Sequence, residues 1–410
     1  MPHETVCRSC SGSDLRSVLS LGATPLANAL RTKEQLALPE AHFPLELVFC
    51  ASCSLVQITE TVSPEELFGE YPYFSSFSDT MVRHAADLVR RVVGERRLDP
   101  SSLATEVASN DGYLLQFYQQ AGIPVLGIEP ASNIASEAAR RGIRTVCEFF
   151  GAALADRLVH EYGRADVIHA HNVLAHVADL NGVVDGLRTF VKDSGAIIVE
   201  VPYVRDMIEG VEFDTVYHEH LCYFSLTALS GLFARHALAI HDVERLPIHG
   251  GSLRIVAAPA GSGTQASASV QTLLDEEQQL GMARVEFYAG FSARVERLKE
   301  ELIALLRGLR RSGKRIAAYG ASAKGSTLLN YFGIGAAELE FVADRSTVKQ
   351  GRYTPGTHLP IRAPEALLEE RPDYVLLLTW NFAEEILRQQ EPYRRQGGKF
   401  IIPIPALQVV

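Results

Sequence analysis

No apolar run in this 410-residue sequence reaches the roughly 18 residues that a bilayer-spanning helix needs, so no membrane partner is expected. Positive charge is not in surplus either. With 39 Lys and Arg against 49 Asp and Glu the net charge is −10. Such a chain is poorly equipped to neutralise a phosphate backbone, so no nucleic-acid partner is expected. Tryptophan occurs once and methionine four times. Neither a GxGxxG fingerprint nor a full GxxxxGK[ST] loop is present, which argues against a standard dinucleotide or nucleoside-triphosphate site. No internal repeat is found at solenoid periods.

Cysteine is scarce but concentrated. Four of the six cysteines form two pairs, Cys7 and Cys10 in "CRSC" and Cys50 and Cys53 in "CASC". Two residues between thiolates let one tight turn present both to a single ion, and two such turns complete a tetrahedral zinc site. With every position filled by cysteine there is none left for a substrate, so the zinc is expected to be structural. Disulfides are the alternative, but the polar start "MPHETVCRSCSGSD" points to the cytoplasm, where thiols stay reduced. A region this short and loop-rich needs such a staple.

Beyond it, apolar strands alternate with helical patterns. Strands are expected at 103–109, 125–130, 143–150, 165–172 and 195–203, then at "LAIHDVERL" and "GSLRIVAAP" as an antiparallel edge hairpin. The helix before the fifth strand is expected at "VVDGLRTFVKD". Continuous apolar strands separated by helices predict a parallel sheet covered on both faces. "GSGTQASASV" (261–270) reads as a linker before a second α/β block with strands at "RIAAYGA", "LEFVADR", "YVLLLTWN" and "KFIIPIP". The expected fold class is α/β in three parts. These are a zinc-binding module with linker over 1–75, a Rossmann-like methyltransferase domain over 76–262, and a smaller Rossmann-like α/β domain over 263–410.

The first βα turn reads "EVASNDGYL", residues 106–114, at the carboxyl end of the first strand, where open α/β sheets bind ligands. Its single glycine, Gly112, suits S-adenosylmethionine, which has no pyrophosphate to cradle. Glu129 ends the second strand and can accept both ribose hydroxyls. Asn110 and Asp111 can meet the ammonium and carboxylate of a methionine moiety. The alternative is an ordinary turn with a surface acid nearby.

The ordered set of "CRSC…CASC", "YPYFSSFS", "EVASNDGYLL", "GIEPA", "HNVLAHVADL", "VEVPY", "YHEHLCYF", "HGGSLR", "YGASAKGSTLLNY", "KQGRYTPGTHLPI" and "LLLTWNF" covers nearly the whole chain. In that order the motifs resemble those of the sugar C-methyltransferases of deoxysugar biosynthesis, which act on nucleotide-linked 4-keto sugars. The resemblance implies a zinc module, a central S-adenosylmethionine domain and a C-terminal domain that helps hold the nucleotide sugar. The expected substrate is a dTDP-linked 4-keto sugar methylated at C-3, and the expected assembly is a monomer or homodimer. The expected cofactor contacts are Glu106, Asn110, Asp111, Gly112, Tyr113, Glu129, Asn133 and Asn172.

C-methylation beside a ketone needs a base for the α-proton, donors for the enolate oxygen and alignment with the methyl group. An imidazole, with an ordinary pKa near ~6.5, can take a proton at neutral pH, and His220 in "YHEHLCYF" (217–224) is the candidate base. A helical turn there would put Tyr217 and His220 on one face. An extended one would pair His218 with His220, and the sequence leaves both open. Metal binding by His-Glu-His is disfavoured, because HExxH spaces its histidines four apart. A packed structural histidine is the ordinary alternative. The resemblance points to Tyr217, Glu219 and His220 as the active positions. Tyr217 and His176 can donate to the enolate oxygen, and Tyr71 or Tyr73 can reach over the sugar from the linker, Tyr71 being preferred. Substrate contacts are expected from Ser75, His249, Arg254, Ser322, Lys324, Asp344 and Arg352. Among these, "YGASAKGS" (319–326) suits a diphosphate at a helix N-terminus. The first histidine of "HAHN", His169, has no role on this reading.

Overall fold

The computed structural model describes residues 4–63, 75–248 and 250–410. Tyr71, Tyr73 and His249 lie outside the described residues.

The N-terminal unit is an antiparallel sheet of β1 (Leu15–Thr24), β2 (Phe43–Cys50) and β3 (Val56–Ile58). Each CxxC turn closes in the same way. The Ser11 N–H bonds the Cys7 carbonyl at 2.8 Å and the Ser54 N–H bonds the Cys50 carbonyl at 2.9 Å, with both serines left-handed. The fourth strand of this sheet comes from elsewhere in the chain. Cys222–Tyr223 pairs with β3, so the segment carrying Tyr217, Glu219 and His220 is stitched to the zinc module.

The central sheet holds β4 (Ala104–Val107), β5 (Val125–Ile128), β6 (Thr145–Val146), β7 (Ala165–His171) and β8 (Val191–Pro202). These run parallel in the order β6-β5-β4-β7-β8. The hairpin of β9 (Leu238–Leu246) and β10 (Ser252–Pro259) extends the sheet antiparallel from β8. Two expectations shift. The third strand shrinks to two residues because the chain turns away after Val146, leaving Phe149 48 % exposed at the edge of a cleft. The helix expected at "VVDGLRTFVKD" spans Leu180–Phe190 instead, because the Asp179 carboxylate caps the Gly182 N–H at 2.9 Å and Val191 already pairs with Ala165.

The C-terminal sheet holds β11 (Ile316–Tyr319), β12 (Val342–Ala343), β13 (Ile361–Arg362), β14 (Tyr374–Leu377), β15 (Lys399–Ile402) and β16 (Gln408–Val409). Its order is β13-β12-β11-β14-β15-β16, with only the last strand antiparallel. Both α/β units therefore reverse direction between their first and fourth strands, where a crevice opens at the carboxyl ends. The helix that follows the predicted linker, Ala268–Leu280, packs back on the central unit. Its buried Glu277 accepts the Leu226 N–H at 2.7 Å, the Thr227 N–H at 2.8 Å and the Tyr203 hydroxyl at 2.9 Å. The two α/β units also meet directly. Phe213 stacks on Phe332 with centroids 4.8 Å apart, and the Trp380 indole donates to the buried Asp214 carboxylate at 2.7 Å.

Candidate active site

The two crevices open into one cleft of about 1090 Å³, walled by all three units. On the central side, β4 ends in a loop with left-handed residues at Ala108, Asn110 and Gly112. Gly112 needs to be glycine: its φ is +78° and a Cβ would lie 2.7 Å from the Ile143 side chain. The Glu129 carboxylate accepts the Asn110 N–H at 3.0 Å and the Ala131 N–H at 2.9 Å, fastening this loop to its own turn. Burial pushes Glu129 upward, and these two N–H groups pull it back. A carboxylate has about four lone-pair sites, so accepting capacity remains toward the cleft.

The catalytic candidates are brought together by a backbone bond, Leu221 N–H to the Ala175 carbonyl at 2.6 Å, which ties the His176 turn to the His220 segment. The two imidazoles meet edge to face with centroids 4.7 Å apart. The helical-turn alternative holds for Tyr217 and His220. The Tyr217 hydroxyl and His220 Nε2 are 2.7 Å apart, and His220 Nδ1 lies 2.9 Å from the Thr215 carbonyl. A carbonyl only accepts, so in the neutral ring Nδ1 carries the hydrogen, Nε2 holds the lone pair, and Tyr217 donates to it. Burial depresses His176 to about 4, which keeps it neutral. His218 points the other way, with Nε2 3.0 Å from the Pro44 carbonyl.

Glu219 is buried behind the cleft wall, and its Oε1 accepts the Asn28 amide at 2.6 Å. Burial raises its pKa to about 7, against opposing pulls from the Asn28 bond and the charge of Lys349. On the C-terminal side, Ser322 caps the helix Ala323–Phe332 through the Gly325 N–H at 3.1 Å. Lys324 lies 4.5 Å above the Trp380 ring. Asp344 accepts the Ala321 N–H at 2.7 Å and the Ser346 N–H at 2.8 Å.

Of the sequence-predicted residues, Ser75, Asn110, Tyr113, Glu129, Asn172, His176, Tyr217, His220, Ser322, Lys324 and Asp344 line the cleft. Others do not. Glu106 is buried beneath the loop, with neighbouring carboxylates adding to the upward push of burial. Asp111 is buried against Ser76 and Arg141. Gly112 shapes the loop without lining the cleft, and Asn133 and Arg352 are exposed away from it. Arg254 is buried in an ion cluster with Glu200, Glu244 and His84. His169 gains a place here. It lies 2.8 Å from the Tyr118 hydroxyl and 3.0 Å from His171, whose ring reaches the cleft beside Asn172. Sequence reasoning passed over Asn28, His171, Thr215 and Lys349. Lys349 opens "KQGRYTPG", a motif in which the arginine drew attention instead. Asn28 carries no local signal.

At the cysteines, Cys7 and Cys53 sulfurs lie 3.5 Å apart and those of Cys10 and Cys50 3.6 Å, with all four within 4.8 Å. The desolvation of burial raises the Cys50 thiol. The neighbouring Cys7 and then burial raise Cys53. Thiolates packed this closely need a cation, and four sulfurs suit tetrahedral zinc.

A switch-point cleft with an acid ending the second strand suits a nucleoside-bearing ligand and the clustered cysteines suit zinc, an arrangement compatible with an S-adenosylmethionine-dependent methyltransferase that carries a zinc-binding module. Comparison with known proteins agrees. Residues 7–68 match a zinc binding domain, 79–243 a methyltransferase domain, and 247–405 the C-methyltransferase C-terminal domain. The chain is 37 % identical to C-methyltransferase NovU of Streptomyces niveus over 404 residues, 98 % of this chain and 96 % of that protein. It belongs to this C-methyltransferase family. Solved structures with some likeness include an S-adenosylmethionine-dependent methyltransferase of Clostridium acetobutylicum, 12 % identical with TM-score 0.37 over 44 % of this chain and 92 % of that one. A magnesium protoporphyrin IX methyltransferase of Synechocystis is 13 % identical with TM-score 0.35 over 48 % and 88 %. Among the described residues no helix is long and apolar enough to cross a membrane.

Proposed function

We propose that the protein C-methylates a dTDP-linked 4-keto deoxysugar beside the ketone, at C-3, through an enolate. One observation carries the reading. Among the described residues lining the cleft, the central unit contributes no lysine or arginine, whereas the C-terminal unit contributes Lys324, Arg345 and Lys349. The first face suits a sulfonium cation, the second a diphosphate.

S-adenosylmethionine supplies an electrophilic methyl group when bound. Glu129, Asn110 and Asn172 would hold it at the central face. His220 Nε2 takes the α-proton once the sugar displaces the Tyr217 hydroxyl from it. His220 then carries hydrogen on both nitrogens and can no longer accept from Tyr217. The Tyr217 hydroxyl turns its hydrogen to the enolate oxygen as negative charge develops there, with neutral His176 beside it as a second donor. The Thr215 carbonyl stabilises the imidazolium through Nδ1–H. A His220→Asn variant is expected to bind S-adenosylmethionine normally and to lose turnover by about 10²-fold or more. It should also lose solvent-deuterium wash-in at the α-carbon of a dTDP-4-keto-6-deoxy sugar. Wash-in and methyl transfer at the wild-type rate would remove His220 from the base role.

A further inference from the structure

Asn28 belongs to the zinc module, yet it lines the same cleft as His220. Its position is firmly built. The Leu30 N–H bonds the Asn28 carbonyl at 2.8 Å in a tight turn just after β1. Three residues after Asn28 the chain is fastened to the C-terminal unit, with Arg31 and Tyr353 exchanging N–H to carbonyl bonds of 2.9 and 2.8 Å. Further along, Glu40 accepts the Gly356 N–H at 3.0 Å and His358 Nε2 at 2.9 Å. Across the cleft wall, β3 pairs with Cys222–Tyr223, which fixes the register of the Glu219 segment against the module. Asn28 is thus gripped from both flanks while its amide nitrogen meets Glu219 at 2.6 Å. Nδ2 donates one hydrogen to Glu219 Oε1, which leaves Oδ1 as the amide's accepting atom.

We propose that Asn28 is a substrate-contacting residue of the active site, supplied by the zinc module, whose Nδ2 fixes the Glu219 carboxylate while Oδ1 accepts a hydrogen bond from a donor group on the sugar ring. The inference rests on the proposed sugar C-methylation. It gives the module a part in the reaction beyond stapling the N-terminus. Glu219 becomes a node of all three units: Asn28 from the first, its own segment from the second, and the charge of Lys349 from the third.

The test uses full-length, zinc-loaded protein and two readouts. The first needs no turnover. The Glu219 carboxyl band is assigned by infrared difference against Glu219→Gln and then titrated. The Asn28 bond favours the ionised carboxylate, so Asn28→Ala is expected to raise the midpoint. Asn28→Asp keeps the shape, adds a second carboxylate and is expected to raise it further. The second is steady-state kinetics with a dTDP-4-keto-6-deoxy sugar and labelled methyl donor. Asn28→Ala is expected to raise the sugar KM about tenfold, the size of one lost hydrogen bond, with cofactor affinity unchanged. An unmoved midpoint in both variants overturns the contact to Glu219, and an unmoved sugar KM overturns the contact to the substrate. Failure of the underlying reading looks different: the wild type would then not methylate the sugar at all, while the Glu219 midpoint would still move in the Asn28 variants.

Discussion

The two α/β units are built on one plan and differ in where their cations stand. Each ends its second strand in an acid that accepts two backbone N–H groups, one from the loop after the first strand and one two residues further on. In the central unit the acid is Glu129, holding Asn110 and Ala131, and in the C-terminal unit it is Asp344, holding Ala321 and Ser346. The first-strand loops of both depend on a left-handed glycine, Gly112 in one and Gly320 in the other. What differs is what stands around them. Carboxylates gather under the central loop, where Glu106, Asp111, Glu129 and Glu200 are all buried, while lysines and an arginine face the cleft from the C-terminal side. A shared backbone solution to opening a crevice thus leaves ligand choice to the side chains.

That comparison can be broken most severely at the paired acids. Glu129→Ala removes one carboxylate holding two N–H groups, and S-adenosylmethionine affinity is expected to fall about 100-fold by calorimetry. Asp344→Ala is expected to leave that affinity unchanged and to raise the sugar KM instead. If both variants weakened the cofactor alone, the division of labour would be wrong. Next in size is charge. Lys324→Met or Lys349→Met is expected to raise the sugar KM about tenfold, with a steeper salt dependence in the wild type than in either variant.

A third measurement tests the joint between the units. Trp380→Phe keeps the ring but leaves the buried Asp214 carboxylate without its indole donor, and a loss of about 1–3 kcal/mol in denaturant unfolding is expected. Equal midpoints would show that the units are held by packing such as Phe213 on Phe332 instead.

The last test is a pH dependence. Glu219 has a raised pKa of about 7, so the folded state holds a proton that the unfolded chain gives up nearer its ordinary value of 4.5. Protons bound in excess by the folded state mean that stability falls as pH rises from about 4.5 to 7. Glu219→Gln removes this dependence. It is expected to match wild-type stability near pH 4.5 and to exceed it by up to about 3 kcal/mol at about pH 8, since each tenfold change in proton affinity is worth about 1.4 kcal/mol. A constant difference across that range would place the wild-type carboxylate in an ordinary solvated setting.

Much of this was legible locally. The CxxC pairs, the alternation of apolar strands with helices and the edge hairpin could all be read from the sequence, because burial on both faces and the 3.6-residue period leave their mark on neighbouring residues. The predicted lining residues Asn110, Glu129, Asn172 and His176 sit at strand ends or in the turns beyond them, where α/β crevices open. Arg254 and Arg352 do not line the cleft, and nothing local shows it. An arginine in a polar motif looks the same whether it faces a ligand, an ion cluster or water.

By itself the sequence determined the elements, the order of the units and the cysteine cluster, each set by chemistry within a few residues or by repeated spacing. Only the tertiary structure decided which nitrogen of His220 carries the hydrogen, because that depends on a carbonyl and a phenol held in one turn. It alone decided that Glu219 meets Asn28 across 191 residues and that Trp380 meets Asp214 across 166. Contacts at such separations leave no local pattern, since each partner's residue type is satisfied equally well by water until the fold removes it.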